Sequence, residues 1–180
     1  AYLLDHYTTS TDVFVVIFKT PQEQCARFNA ADLANQMELN LLEVEGVESI
    51  QSLYKTMRFK ILAHNEGNPK WAELSRDQYV MNTARVGAPS ELVDPNCSVA
   101  PISLYLADHK AETLTRVVNA VEAFSTRYDL GDFEILQAAG NAGIEAATNI
   151  VIEHSEKLMF SSAISMNLPS NLRHRRTSPP

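Results

Sequence analysis

The strongest hydrophobic signal in the chain is an unbroken apolar run, Val13-Phe-Val-Val-Ile-Phe18, set between Asp12 and Lys19. A β-branched run without polar alternation predicts a strand buried on both faces and central in its sheet. Thr20-Pro21-Gln22-Glu23 then predicts a helix start. Threonine caps, proline takes the first helical position, and glutamate three residues on completes a capping box. Ala26, Ala30, Leu33, Met37, Leu41 and Val44 follow at helical spacing on one side, and Gly46 stops the helix. Val47 to Tyr54 alternates apolar and polar positions, which predicts a strand with one solvated face.

Residues from about 55 to 96 break this rhythm. Thr56 to His64 suits a helix, and Asn65-Glu-Gly-Asn-Pro-Lys-Trp71 is a turn leading to a second start, with Asn68 as cap and Pro69 behind it. A short helix is expected to follow, with Trp71, Leu74, Gln78 and Met81 along one side. Gly87, Pro89, Asp94 and Pro95 then mark a loop.

The second half repeats the first. Ile102 to Ala107 reads as a strand, Asp108 as a helix cap, and Leu114, Val117, Val118, Val121 and Phe124 as the apolar side of the helix. Asp129-Leu-Gly131 ends it. Phe133 to Gly140 reads as a last strand. Asn141 is a good N-cap for an exit helix with Ile144, Ala147, Val151, Ser155 and Leu158 on one side.

The order is β-α-β, insertion, β-α-β, then a helix leaving the domain. Two split βαβ units predict an α+β, ferredoxin-like sandwich, with the first and third strands central and parallel. The domain is read as 1–160 with a helical insertion at about 55–96. Residues 161–180 are Ser-, Asn-, Pro- and Arg-rich and read as a tail.

Composition narrows the function more than the fold. Of the 15 basic residues, 3 (Arg173, Arg175, Arg176) lie in the tail, which leaves 12 against 22 acids and a net of −10 for residues 1–160. Such a surface argues against nucleic acid as a partner and against docking on anionic lipid. No apolar run approaches the roughly 20 residues that span a bilayer. The chain opens on Ala1 with no signal-peptide layout and reads as a piece of something longer.

Catalytic chemistry finds little support. His6, His64, His109, His154 and His174 are scattered, without the spacing of a helical metal site. Asp108-His109-Lys110 is a polar triplet at a strand-to-helix junction, where capping accounts for the aspartate. Cys25 falls in the first turn of the predicted helix, where the dipole would lower a thiol's pKa, but no oxyanion loop or histidine motif accompanies it. No catalytic residue, cofactor site or metal site is assigned. Cys25 and Cys97 are too few for a disulfide scaffold or a structural zinc. They suit two buried thiols, or a single bridge in an oxidising compartment.

Four stretches together resemble one family. They are Thr20-Pro-Gln-Glu-Gln-Cys-Ala-Arg27, Asn65-Glu-Gly-Asn-Pro-Lys-Trp71, Tyr105-Leu-Ala-Asp-His-Lys-Ala-Glu-Thr-Leu114 and Gly140-Asn-Ala-Gly-Ile-Glu-Ala-Ala-Thr-Asn149. In this order they are similar to the large periplasmic loop in the second half of resistance–nodulation–division (RND) transporters, in the hydrophobe or lipid exporter branch. The likeness runs from about Asp12 to Phe160.

The resemblance implies a porter domain built from split βαβ units, part of a proton-driven inner-membrane exporter of hydrophobic or amphiphilic substrates. The rest of the transporter chain, with its membrane helices, would be its partner, and a homo-oligomer is compatible. The family's proton-relay residues lie in membrane helices and have no counterpart here. Trp71, Tyr79 and Met81 in the insertion are the candidate apolar substrate contacts, weighed against simple packing of the insertion on the sheet. The periplasmic location that the resemblance implies favours a Cys25–Cys97 disulfide. One objection is that parallel central strands place these two cysteines at opposite ends of the sheet, unless the insertion carries Cys97 across. The family pattern lapses after Phe160, where Ser161-Ser-Ala-Ile-Ser is not the start of a membrane helix. The competing readings are a free-standing ferredoxin-like domain that binds or senses a small molecule and, resting only on Cys25 and Asp108-His109, an enzyme.

Overall fold

The computed structural model describes residues 12–139. The expected lead-in 1–11, the exit helix, the tail, and His6, His154 and His174 lie outside the described residues.

Four strands, β1 (Asp12–Lys19), β2 (Val47–Gln51), β3 (Val99–Leu106) and β4 (Glu134–Ala139), form one sheet in the order β2-β3-β1-β4. Every neighbouring pair is antiparallel. The two central strands are therefore β1 and β3, as expected, but they run antiparallel rather than parallel. Asp12 faces Leu106 at one end and Lys19 faces Val99 at the other.

β1 is not buried on both faces. Phe14, Val16 and Phe18 are fully buried, while Val13, Val15 and Ile17 are only half-buried. β3 alternates likewise, with Ala100, Ile102, Leu104 and Leu106 inward. A continuous apolar run can thus serve a one-sided core, because the strand's period of two sends alternate residues to each face.

Helix α1 (Phe28–Leu42) and helix α4 (Ala111–Arg127) supply the rest of the main core. α1 gives it Ala30, Leu33, Met37 and Leu41, and α4 gives Leu114, Val117, Val121 and Phe124. Between β2 and β3 come helix α2 (Leu53–His64), a 3₁₀ turn (Pro69–Trp71) and helix α3 (Gln78–Arg85). The single helix expected to run from Trp71 to Met81 is thus two short pieces. Asn68 takes Lys70 N–H at 3.1 Å and Asp77 takes Tyr79 N–H at 2.8 Å, so each piece has its own cap.

Several boundaries differ from the expectation: β3 begins at Val99 rather than Ile102, and α4 at Ala111 with Lys110 rather than Asp108 in the cap position. Two others differ for clear local reasons. The predicted capping box at Thr20–Glu23 starts no helix, and α1 begins at Phe28. Residues 20–25 instead run beside 96–98: Thr20 N–H donates to Ser98 O at 2.8 Å, Glu23 N–H to Asn96 O at 2.9 Å, and Cys25 N–H to Cys97 O at 3.0 Å. Glu23 has φ +60, incompatible with a right-handed helix. At the second boundary, β2 ends at Gln51 rather than running to Tyr54. Ser52 caps α2 by accepting Lys55 N–H at 3.0 Å, so Leu53 and Tyr54 enter the helix.

Candidate functional site

The insertion leaves two recesses on its surface. One, of about 230 Å³, lies between α2 and α3 and is walled by Ile61, Val80 and Ala84 with Tyr79 at its mouth. Tyr79 is 79% exposed and Trp71 49%, so both sequence-selected aromatics reach solvent. Met81 does not. It is fully buried and belongs to the core, which removes it as a surface contact.

The second recess is a cleft of about 460 Å³ where α1, α2 and the segment 72–76 meet. Phe28 and Leu39 come from α1, Arg58 from α2, and Leu74 and Arg76 from the connecting segment. The guanidinium carbon of Arg76 lies 5.1 Å from the Phe28 ring centre, a cation–π contact.

Behind this cleft is a polar cluster that sequence reading missed. Glu38 is buried at 1% exposure in the α1 interface. One carboxylate oxygen accepts from Ser52 Oγ, and the other from Arg58 Nη2 at 2.9 Å. Arg58 also donates to Asn35 Oδ1. Burial pushes the Glu38 carboxyl above its ordinary value, and the Ser52 hydrogen bond and the Arg58 and Lys55 charges pull back against it. The Tyr54 hydroxyl is buried without a hydrogen-bond partner among the described residues. Burial, and then the nearby Glu38 charge, raise its pKa. A signal was present: Ala31, Ala34, Glu38 and Leu41 share one helical side, so a carboxylate sits inside an apolar stripe.

Cys25 and Cys97 form a disulfide with Cα atoms 5.1 Å apart. Cys25 therefore presents no thiol, and it precedes α1 rather than lying in its first turn. Asp94 organises the other side of the bridge. Although burial opposes it, the amides of Val99, Ser98 and Asn96 and the Ser98 hydroxyl hold its carboxyl below the ordinary value. Its oxygens take those amides at 2.7, 2.6 and 3.1 Å.

The triplet 108–110 is consumed locally. Asp108 binds Lys110 Nζ at 2.7 Å and accepts from Thr113 Oγ1 at 2.8 Å, and these contacts hold its pKa down at about 2. His109 turns elsewhere, with Nδ1 3.3 Å from Asp12 Oδ2. The three side chains do not converge on one point. Among the described residues no cluster of His, Cys, Asp and Glu could hold a metal ion, and no helix is long and apolar enough to cross a membrane. No protein-family model, curated protein or solved structure matches the chain significantly.

Proposed function

We propose that this chain is a periplasmic porter-type domain of an RND-type, proton-driven exporter of hydrophobic or amphiphilic substrates. Its frame is read as ferredoxin-like, two split βαβ units joined by a helical insertion. The domain performs no chemistry. It forms part of the wall of the substrate path and moves with the membrane portion of the same transporter chain.

The observation that carries this reading is the insertion itself. It lies between β2 and β3 in the chain and holds two large aromatic side chains, Trp71 and Tyr79, in solvent, with Tyr79 at the mouth of an apolar recess. An exposed aromatic at the mouth of a concave apolar surface suits contact with apolar ligands. The disulfide gives separate support for an oxidising compartment such as the periplasm.

The test is export by the full-length transporter carrying Trp71→Ala and Tyr79→Ala together. Cells should accumulate several-fold more of a fluorescent hydrophobic dye than cells with the unaltered protein, at equal expression. Unchanged accumulation contradicts the assignment of these side chains to the path. The apolar recess also suits a free-standing small-molecule-binding domain. That reading predicts saturable binding of near-stoichiometric strength by the isolated chain, whereas a porter domain holding half a cavity binds weakly.

A further inference from the structure

We propose that the cleft between α1, α2 and residues 72–76 binds the anionic head of an amphiphile on Arg58 and Arg76, and that binding is linked to proton uptake by Glu38. The inference does not depend on the exporter reading, because it concerns only groups within the described domain.

The cleft combines an apolar wall with two cations. Phe28, Leu39 and Leu74 offer the wall, and Leu39 is 52% exposed. At about 460 Å³ the space lies within the range of small-ligand sites. Arg76 makes no ion pair or hydrogen bond among the described residues. Its guanidinium carbon lies 5.1 Å from the Phe28 ring centre, and its N–H donors can serve a planar or tetrahedral oxyanion. Two acids, Asp32 and Glu73, also line the cleft. Asp32 is engaged by Gln36 Nε2 at 2.9 Å on its own helix. Both acids keep their charge and oppose the two arginines, so the head is singly anionic rather than a cluster of phosphates.

The link to protons follows from Arg58 serving two sides. Its guanidinium is 23% exposed, lines the cleft, and is bonded to the 1%-exposed Glu38. The titratable and charged groups acting on Glu38 come from α2: Arg58, Lys55 and Tyr54, with Ser52 at the cap. While Glu38 is ionised it neutralises Arg58. Once protonated it no longer competes, and Arg58 presents its charge to the cleft. An anion bound on Arg58 in turn disfavours the second negative charge at Glu38, so each event promotes the other by the same factor.

The experiment uses the 180-residue chain and three ten-carbon amphiphiles below their micelle concentrations: decyl sulfate, which keeps one negative charge across the tested pH range, decyltrimethylammonium and decyl maltoside. Trp71 is the only tryptophan and adjoins Ala72 of the cleft lining, so its fluorescence reports occupancy. Decyl sulfate should bind at least tenfold tighter than the cation, against the domain's net negative charge, and about tenfold tighter at pH 5 than at pH 7.5. Arg76→Gln should lose about tenfold in decyl sulfate affinity. Glu38→Gln should bind decyl sulfate with no pH dependence. Calorimetry of the unaltered chain in two buffers of different ionisation heat should show proton uptake on binding, which keeps the test available if a Glu38 variant misfolds. Equal or tighter binding of the cation, an Arg76→Gln chain with unchanged affinity, pH dependence surviving in Glu38→Gln, or binding without proton uptake overturns the proposal.

Discussion

Cys25 and Cys97 are 72 residues apart in the chain, yet their Cα atoms lie 5.1 Å apart because Lys19 and Val99 are paired across β1 and β3. The antiparallel central pair places the end of β1 beside the start of β3. The segments that continue from each strand are hydrogen-bonded to one another at 20–25 and 96–98. The bridge fastens that junction and closes a loop containing α1, β2 and the whole insertion.

Removing the bridge should therefore cost substantial stability. For a loop of this length the chain-entropy account gives about 4 kcal/mol. The Cys25→Ser/Cys97→Ser protein, or the wild type melted after unfolding in reductant, should show a Tm lower by about 10 °C or more. Matching melting curves with and without reductant, with free thiols confirmed in the reduced sample, contradict this.

The Glu38–Arg58 pair gives a pH-dependent stability of defined sign. Glu38 has its folded pKa raised above the ordinary 4.5, so the folded chain holds its proton more tightly than the unfolded one. Its contribution is fully present below about pH 4.5 and is lost as pH rises through the folded value. Asp108 acts oppositely: its pKa of about 2 gives stability present above its ordinary 3.8 and lost as pH falls through 2. Arg58→Met leaves Glu38 buried without its cation and should destabilise by about 3 kcal/mol at pH 7. The loss should shrink towards pH 4.5, as Glu38 takes up its proton. Urea denaturation at several pH values measures this; a loss independent of pH would mean Arg58 acts through packing alone.

Gly46 is fixed by both conformation and space. Its φ is +98, and a β-carbon there would come within 2.6 Å of the Thr113 methyl on α4. Its carbonyl also accepts Ala107 N–H at 2.9 Å. Gly46→Ala should cost about 1–3 kcal/mol. Gly67, also at positive φ but with open space around it, should cost less. Chemical denaturation of both variants decides, and an equal or smaller loss at Gly46 would contradict the steric account.

Two of the insertion's candidates, Met81 and Tyr79, should separate by stability. Met81→Ala should lose about 2–5 kcal/mol, as a fully buried side chain does. Tyr79→Ala should stay within about 0.5 kcal/mol of the wild type. A stability loss at Tyr79 as large as that at Met81 would make it a packing residue and remove it from the proposed path.

The element order was readable because it rests on periodicity. The apolar sides of α1 and α4 and the strand at 13–18 follow directly from spacing. Most of what failed depended on partners distant in sequence. Thr20–Glu23 has the residues of a helix start, but pairing with 96–98 holds it as a turn. Ser52 carried a cap signal that the strand-like alternation of 47–54 concealed. Glu38 was overlooked because the apolar side was traced through Met37 and Leu41, while Arg58 and Ser52, which make its burial tolerable, lie on another helix. The orientation of the central strands cannot be read from either strand alone. Assuming it parallel created the apparent obstacle to the disulfide.

The most direct test of the exporter reading is the gene sequence through both flanks, upstream of Ala1 and downstream of Pro180. The account predicts an apolar run of about 20 residues on each side, long enough to span a bilayer, within one open reading frame. A start codon just before Ala1 and a stop codon just after Pro180 would contradict it and leave a small independent ligand-binding domain.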